Sequence, residues 1–104
     1  MTPQTIEVLR VLLAAPSTSR YGLEIARTAG LKTGTVHPIL ARLQQVGWID
    51  SFWETPVAHE DQGRPRRRYY RLTGDGVPAA RRAIAVATAP GAPGLSGLRP
   101  HPGY

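Results

Sequence analysis

Cysteine is absent from this 104-residue chain, and long apolar runs are absent as well. Without cysteine the chain forms neither disulfide bonds nor thiolate metal sites, which is typical of a cytoplasmic protein. The longest apolar run, residues 11–15, has five residues, whereas a membrane-spanning helix needs about 18. Glu7 and Arg10 interrupt the first apolar stretch, so we expect no signal peptide. The length fits one domain and excludes multidomain catalysts, solenoids and large barrels.

Catalytic and metal-binding motifs are also missing. The sequence contains no Walker loop, HExxH or GxSxG pattern. Its histidines, at positions 37, 59 and 101, lack the spacing of metal ligands. Four carboxylates surround a predicted hairpin without a partnered acid or base: Asp50, Glu54, Glu60 and Asp61. We therefore expect no enzymatic activity, no cofactor and no metal.

The positive charge is concentrated in one short stretch. The net charge is +6, yet residues 1–63 sum to −1, and residues 64–82 carry seven arginines against one aspartate. Arg99 adds the last positive charge. Such a cluster indicates a polyanionic partner, most simply nucleic acid, although a solvated surface run is the alternative.

The N-terminal segment predicts a helix from Pro3 to about Ala15, capped by Thr2. Its apolar residues span roughly 220° of the helix circumference, which is wider than one packed face requires. Val8 and Val11 are the surplus. Either a second chain covers them, or a small domain wraps the helix more fully.

A second helix is expected from Tyr21 to about Thr28, capped by Ser19 and ended by a left-handed Gly30. Its predicted core residues are Leu23, Ile25 and Ala26.

A proline sets the start of the third helix. Pro38 lacks an N–H, so it belongs in the first turn, which places the cap at Thr35. The predicted core face then consists of Val36, Ile39, Leu40, Leu43 and Val46. The opposite face is polar, small and nearly uncharged, with Arg42 and Gln44 on its flanks: His37, Pro38, Ala41 and Gln45.

Residues 48–54 and 66–72 predict two strands joined by a long polar tip, residues 55–65. Regular pairing would direct Arg66 and Arg68 to one side and Arg67 to the other. The aromatic residues of these strands suit the core of a small sheet better than base stacking, with Trp53 the candidate to contact a ligand: Trp48, Phe52, Trp53, Tyr69 and Tyr70.

A last helix is expected over residues 75–87, capped by Asp75, with a shallow apolar stripe. That stripe consists of Val77, Ala80, Ile84 and Ala87. Residues 88–104 contain four prolines and four glycines, a composition typical of disorder. The folded domain is therefore predicted to span residues 1–87.

The predicted order, α-α-α-β-β-α, is mainly helical with one small β-hairpin. Two helices joined by a short turn predict a helix-turn-helix, and the hairpin predicts its wing. In this winged helix-turn-helix the third helix would enter the major groove of double-stranded DNA. The arginines of the wing would contact phosphates or the minor groove.

Over roughly residues 2–87 the sequence resembles the PadR family of winged-helix transcriptional regulators. The resemblance lies in Tyr21-Gly22, in residues 33–43 (TGTVHPILARL), in Gly47-Trp48-Ile49 with Trp53-Glu54, and in residues 63–73 (GRPRRRYYRLT). It implies a bacterial homodimer, usually a repressor, that binds a palindromic operator and responds to small aromatic or drug-like ligands.

Three features depart from the family pattern. His37 stands where the family usually has tyrosine, and Thr73-Gly74-Asp75-Gly76 replaces Thr-Pro-Glu-Gly. The helical material after the wing is also short for the family.

These observations predict a homodimeric DNA-binding regulator located in the cytoplasm at the nucleoid. The alternative is a winged-helix protein-interaction module without its own operator. The predicted DNA-binding residues are Tyr21, Lys32, Thr33, Gly34, Thr35, His37, Pro38, Ala41, Arg42, Arg64, Arg66, Arg67 and Arg68. The predicted dimer interface comprises Ile6, Val8, Leu9, Val11, Leu12, Val77 and Ile84.

Overall fold

The computed structural model describes residues 1–55 and 63–89. Within these ranges the chain forms four helices and three short strands. In chain order they are α1 (Pro3–Ala14), β1 (Arg20–Tyr21), α2 (Gly22–Ala29), α3 (Thr33–Gln45), β2 (Ile49–Trp53), β3 (Arg68–Leu72) and α4 (Gly76–Thr88). The fold is mainly α with a small β wing, as predicted. The predicted tail beyond residue 89 lies outside the described residues.

The sheet has the order β1-β3-β2 and is antiparallel throughout. β2 and β3 pair from Ile49↔Leu72 out to Trp53↔Arg68. β1 is absent from the predicted order of elements. Its two residues are too few to show the alternating pattern by which a strand is predicted. Since β1 holds the chain extended up to Tyr21, that residue is the N-cap of α2, and the predicted cap at Ser19 is wrong.

Two of the predicted helix boundaries are confirmed by their backbone geometry. The Thr2 hydroxyl accepts a hydrogen bond from the Thr5 N–H at 3.2 Å, which caps α1. Gly30 ends α2 in the left-handed region, with a φ of 72°, where glycine avoids the penalty of a Cβ.

α3 begins at Thr33, three residues before the predicted start. Lys32 is its N-cap residue, and the Lys32 carbonyl accepts from the N–H groups of Thr35 and Val36. Pro38 consequently lies inside the helix, where it costs one backbone hydrogen bond to the Gly34 carbonyl. Both Pro38 and Gly34 are exposed, so water can reach the carbonyl that loses its partner.

The core lies between the helices and the inner face of the sheet. Its largest fully buried side chains include Ile6, Leu9, Leu12, Ile25 and Leu40. Two predicted core residues are instead at the surface: Leu23 is exposed, and Val46 is 64% exposed. Val46 is the C-cap residue of α3, and Leu23 lies on the outer side of the short α2.

α4 packs against α1 and covers its second side. Val8 is fully buried and Val11 nearly so within the single chain. The surplus apolar arc of α1 is therefore explained by wrapping within this small domain.

α4 begins where the chain passes close to the residue before β2. An ideal Cβ on Gly76 would lie 1.8 Å from the Trp48 carbonyl oxygen, so only glycine fits there. The Gly76 N–H donates to the Thr73 hydroxyl at 2.9 Å, whereas the Asp75 side chain makes no capping bond. Asp75 occupies the predicted N-cap position, but Thr73 performs the capping. None of the helices within residues 1–55 and 63–89 has the length and apolarity needed to cross a membrane.

Candidate nucleic-acid interface

The outward face of α3 carries most of the predicted DNA-binding residues. These residues, and Lys32 directly before the helix, are exposed: Lys32, Thr33, Gly34, Thr35, His37, Pro38, Ala41 and Arg42. The face is small and polar near its N-terminal end. A helix N-terminus also presents unpaired N–H groups, which favour anions such as phosphate.

His37 lies against the backbone of α2. A Cβ added to Gly22 would lie 3.0 Å from His37 Nε2. Because Gly22 has no side chain, the imidazole of His37 can approach the backbone of α2, while His37 as a whole remains exposed. Gly22 thus fixes where His37 meets the solvent.

A surface depression of about 310 Å³ joins the start of α3 to the wing, which consists of β2, β3 and their connection. We call it the α3–wing groove. It brings together five predicted DNA-binding residues from three separate parts of the sequence. It is lined by Tyr21, Gly22, Leu23, Thr33, His37, Arg67, Arg68 and Tyr70.

The arginines of the wing divide between two sides. The guanidinium carbons of Arg66 and Arg68 lie 5.5 and 5.2 Å from the centroid of the Trp53 ring. The guanidinium of Arg67 instead lies 4.0 Å from the Tyr21 ring. This is the predicted alternation, and cation–π contacts hold the side chains on each side.

The aromatic residues only partly fill the core. Tyr70 is buried and Trp48 packs against the core. Phe52 is 44% exposed and Trp53 52% exposed, so the prediction of core packing is wrong for these two. Phe52 stacks on Tyr69 across the sheet with ring centroids 5.8 Å apart. The outer end of the hairpin extends past the helices, so its rings pack on one another and on arginines.

Arg64, one of the predicted DNA-binding residues, is paired with Glu54. Its guanidinium binds both carboxylate oxygens of Glu54, with Nη1–Oε1 at 2.6 Å and Nη2–Oε2 at 2.7 Å. The hydrogen bond from Arg64, the N–H of Arg67 and the charges of both arginines outweigh burial and lower the pKa of Glu54 from its ordinary value of 4.5 to about 2. Sequence reasoning did not pair Glu54 with Arg64. The available signal was one acid just before the tip and one arginine near the C-terminal end of the tip.

A second set of contacts, which sequence reasoning missed, ties the wing to α3. The Arg68 guanidinium donates to the Ser51 hydroxyl at 2.7 and 3.1 Å. That hydroxyl in turn donates to Gln44 Oε1 at 3.0 Å. The position of Arg68 is therefore coupled to the C-terminal half of α3.

Arg42 lies apart from the α3–wing groove. It borders a different, largely apolar depression of about 550 Å³ between the start of α1 and the end of α3. The other lining residues are Met1, Thr2, Thr5, Ile39, Leu43, Val46 and Trp48. Among the residues that had drawn attention in the sequence, His59, Glu60, Asp61, Arg99 and His101 lie outside the described residues.

The residues predicted to form a dimer interface lie mostly inside the single chain. Five of them belong to its buried core: Ile6, Val8, Leu9, Val11 and Leu12. Val77 and Ile84 are half-buried against the same core. These side chains leave little surface for a second copy, whereas Val86 on α4 is exposed. Dimerisation stays a prediction, and contact through α4 would have to use its outer surface.

Comparison with known proteins agrees with the geometry. The family model described as the transcriptional regulator PadR-like family matches residues 8–82. A candidate DNA-binding protein of Ralstonia eutropha JMP134 is similar in structure, with 27% identity and a TM-score of 0.63 over 81% of this chain and 98% of that one. No curated protein matches the sequence.

Two further solved structures share the fold. A transcriptional regulator from Clostridium thermocellum is 24% identical, with a TM-score of 0.60 over 77% of this chain and 75% of its own. MarR from E. coli is 18% identical, with a TM-score of 0.61 over 79% of this chain. The match covers only 54% of the MarR chain.

Proposed function

The chain belongs to the PadR-like family of transcriptional regulators, and we propose that it represses transcription by binding a palindromic operator as a homodimer. The observation that carries the proposal is the α3–wing groove. One concave surface joins Thr33 and His37 of α3 to Arg67 and Arg68 of the wing. Those are the two kinds of group that duplex recognition requires, polar donors for bases and cations for phosphates.

The two parts of this surface have different roles in the proposal. The face of α3 is small, polar and almost uncharged, so it can lie close to base edges in the major groove. Arg67 and Arg68 supply sequence-independent attraction to the backbone. Base preference should therefore depend on α3 and salt sensitivity on the wing.

The symmetric operator follows from dimerisation. Two copies related by a twofold axis would place two α3 helices on half-sites about one helical turn apart. A chromosomal operator would place the protein in the cytoplasm at the nucleoid.

We extend the proposal to release by a small aromatic ligand. The apolar depression beside Trp48 and Arg42 is about 550 Å³, which is within the size range of small-molecule sites. It borders α3 directly, so an occupant would act on the helix proposed to read the bases. A panel of aromatic compounds should include at least one that raises the melting temperature and weakens DNA binding.

Selection from a pool of random duplexes tests the central proposal. We expect enrichment of a palindrome with half-sites spaced by about 10 base pairs, and a dimeric mass in solution. His37→Ala should change the enriched bases, whereas Arg81→Gln, on the exposed surface of α4, should not. A pool without enrichment would contradict operator binding, and capture of a protein partner would then favour the interaction module.

A further inference from the structure

Glu54 directly follows β2 at the outer end of the sheet. The residue is only 7% exposed, although Trp53 and Thr55 on either side of it are exposed. A buried carboxylate is costly unless hydrogen bonds and a cation compensate it. The contacts of Glu54 therefore indicate what the residue does in the wing.

Glu54 holds three arginines of the wing through different atoms. Its carboxylate binds the Arg64 guanidinium at 2.6 and 2.7 Å and accepts from the Arg67 N–H at 3.3 Å. The Glu54 N–H donates to the Arg67 carbonyl at 2.8 Å. The Glu54 carbonyl accepts from Arg66 Nη2 and Nε at 3.2 and 3.3 Å.

These contacts extend the pairing of β2 and β3 beyond Trp53↔Arg68 by one more pair, Glu54 with Arg67. Because strand side chains alternate, fixing the backbone at Arg67 sends that side chain toward Tyr21 while Arg66 and Arg68 stay beside Trp53. The direction of Arg67 is thus set at Glu54, and the adjacent Arg68, whose side chain also donates to Ser51, follows it along β3.

We propose that Glu54 is a positioning residue for DNA binding, which, clamped to Arg64, presents Arg67 and Arg68 in the α3–wing groove. Arg64 then serves the clamp instead of binding a phosphate. This inference rests on the proposed function. It assigns the arginines of the wing two different roles, one in holding the wing together and one in binding DNA.

Two substitutions that change the net charge in opposite directions distinguish this positioning role from a simple effect of charge on DNA affinity. Glu54→Gln makes the protein more positive by one charge, and Arg64→Met makes it less positive by one. If Arg64 bound phosphate and Glu54 only repelled it, the first variant would bind DNA more tightly and the second more weakly. A clamp predicts that both variants bind more weakly.

The experiment uses the full chain and a fluorescein-labelled, mixed-sequence duplex of about 30 base pairs. This duplex is long enough to cover two half-sites one helical turn apart. Binding is titrated from about 50 to about 200 mM NaCl for the unmodified protein, both variants and the double variant. Asp50→Asn is the matched control, since Asp50 is an exposed acid on β2 and its replacement changes the charge as Glu54→Gln does. Thermal melting confirms that each protein is folded.

We expect Glu54→Gln to bind at least about fivefold more weakly at low salt and to reduce the salt slope by about 1.8, the value for two lost phosphate contacts. The double variant should bind no more weakly than either single variant. Asp50→Asn should bind as tightly as the unmodified protein, or slightly more tightly.

Equal or tighter binding by Glu54→Gln would overturn the positioning role and leave the proposed function standing. Failure of the unmodified protein to bind any duplex would overturn both. If Glu54→Gln does not unfold cooperatively, Arg64→Met decides: a slope reduced by about 1.8 supports the clamp, whereas a reduction of about 0.9 identifies Arg64 as a single phosphate contact.

Discussion

Removing the charges of Arg67 and Arg68 should reduce the salt dependence of DNA binding by a definite amount. Arg67 and Arg68 line the α3–wing groove, whereas Arg64 and Arg66 are outside that lining and are bound to Glu54. Each phosphate contact contributes about 0.9 to the slope of log K against log salt, so the double variant Arg67→Gln, Arg68→Gln should lose about 1.8. Over a fourfold salt increase, the unmodified protein should lose about twelvefold more affinity than the variant.

Fluorescence polarisation with a labelled duplex at several salt concentrations measures this slope. The double variant Arg81→Gln, Arg82→Gln is the matched control, because it removes the same charge from exposed positions on α4. We expect the slope of the control to stay within about 0.5 of the original. Equal slopes for the two double variants would refute the assignment, since binding would then depend on net charge and not on the position of the arginines.

Three further predictions concern stability and the shape of the groove. Gly76→Ala should destabilise the fold by about 3 kcal/mol or more, because the added Cβ would lie 1.8 Å from a backbone carbonyl oxygen. The control is Gly74→Ala, whose Cβ would meet nothing within 4 Å. The melting temperature of Gly76→Ala should fall well below that of this control. Gly22→Ala should leave the melting temperature nearly unchanged but displace the imidazole of His37. Binding to a selected duplex should then weaken by about fivefold. Unchanged affinity would contradict the placement of that imidazole at the DNA. Folding lowers the pKa of Glu54 from 4.5 to about 2. The ionised carboxylate therefore contributes fully to stability above pH 4.5, and this contribution is lost as the pH falls toward 2. The melting temperatures of the unmodified protein and of Glu54→Gln should converge between pH 4.5 and pH 2.

Features with a strong local cause were predictable from the sequence. Thr2 before Pro3 marks the start of α1, and Gly30 adopts the left-handed backbone after α2, because both preferences act within one or two residues. The opposite directions of Arg66 and Arg67 follow in the same way from the period of a strand.

Features decided by distant partners were not predictable. The start of α2 depends on β1, whose two residues pair with a strand some 50 positions later. Pro38 lies inside α3 although proline disfavours that position, because the buried residues of the helix pack well enough to offset one lost hydrogen bond. Phe52 and Trp53 have the composition of core residues, yet they lie where the sheet extends beyond the helices that could cover them.

The sequence by itself determined the mainly helical winged fold, the polar face of α3 and the placement of the positive charge on the wing. These are properties of residue type and spacing, which local preference and periodicity express directly. Only the tertiary structure decided that α4 covers the second side of α1, and that Arg64 is bound by Glu54 while Arg67 and Arg68 line the groove with His37. The physical reason is that an ion pair or a packed face depends on distance in space, and the folding of the chain sets that distance.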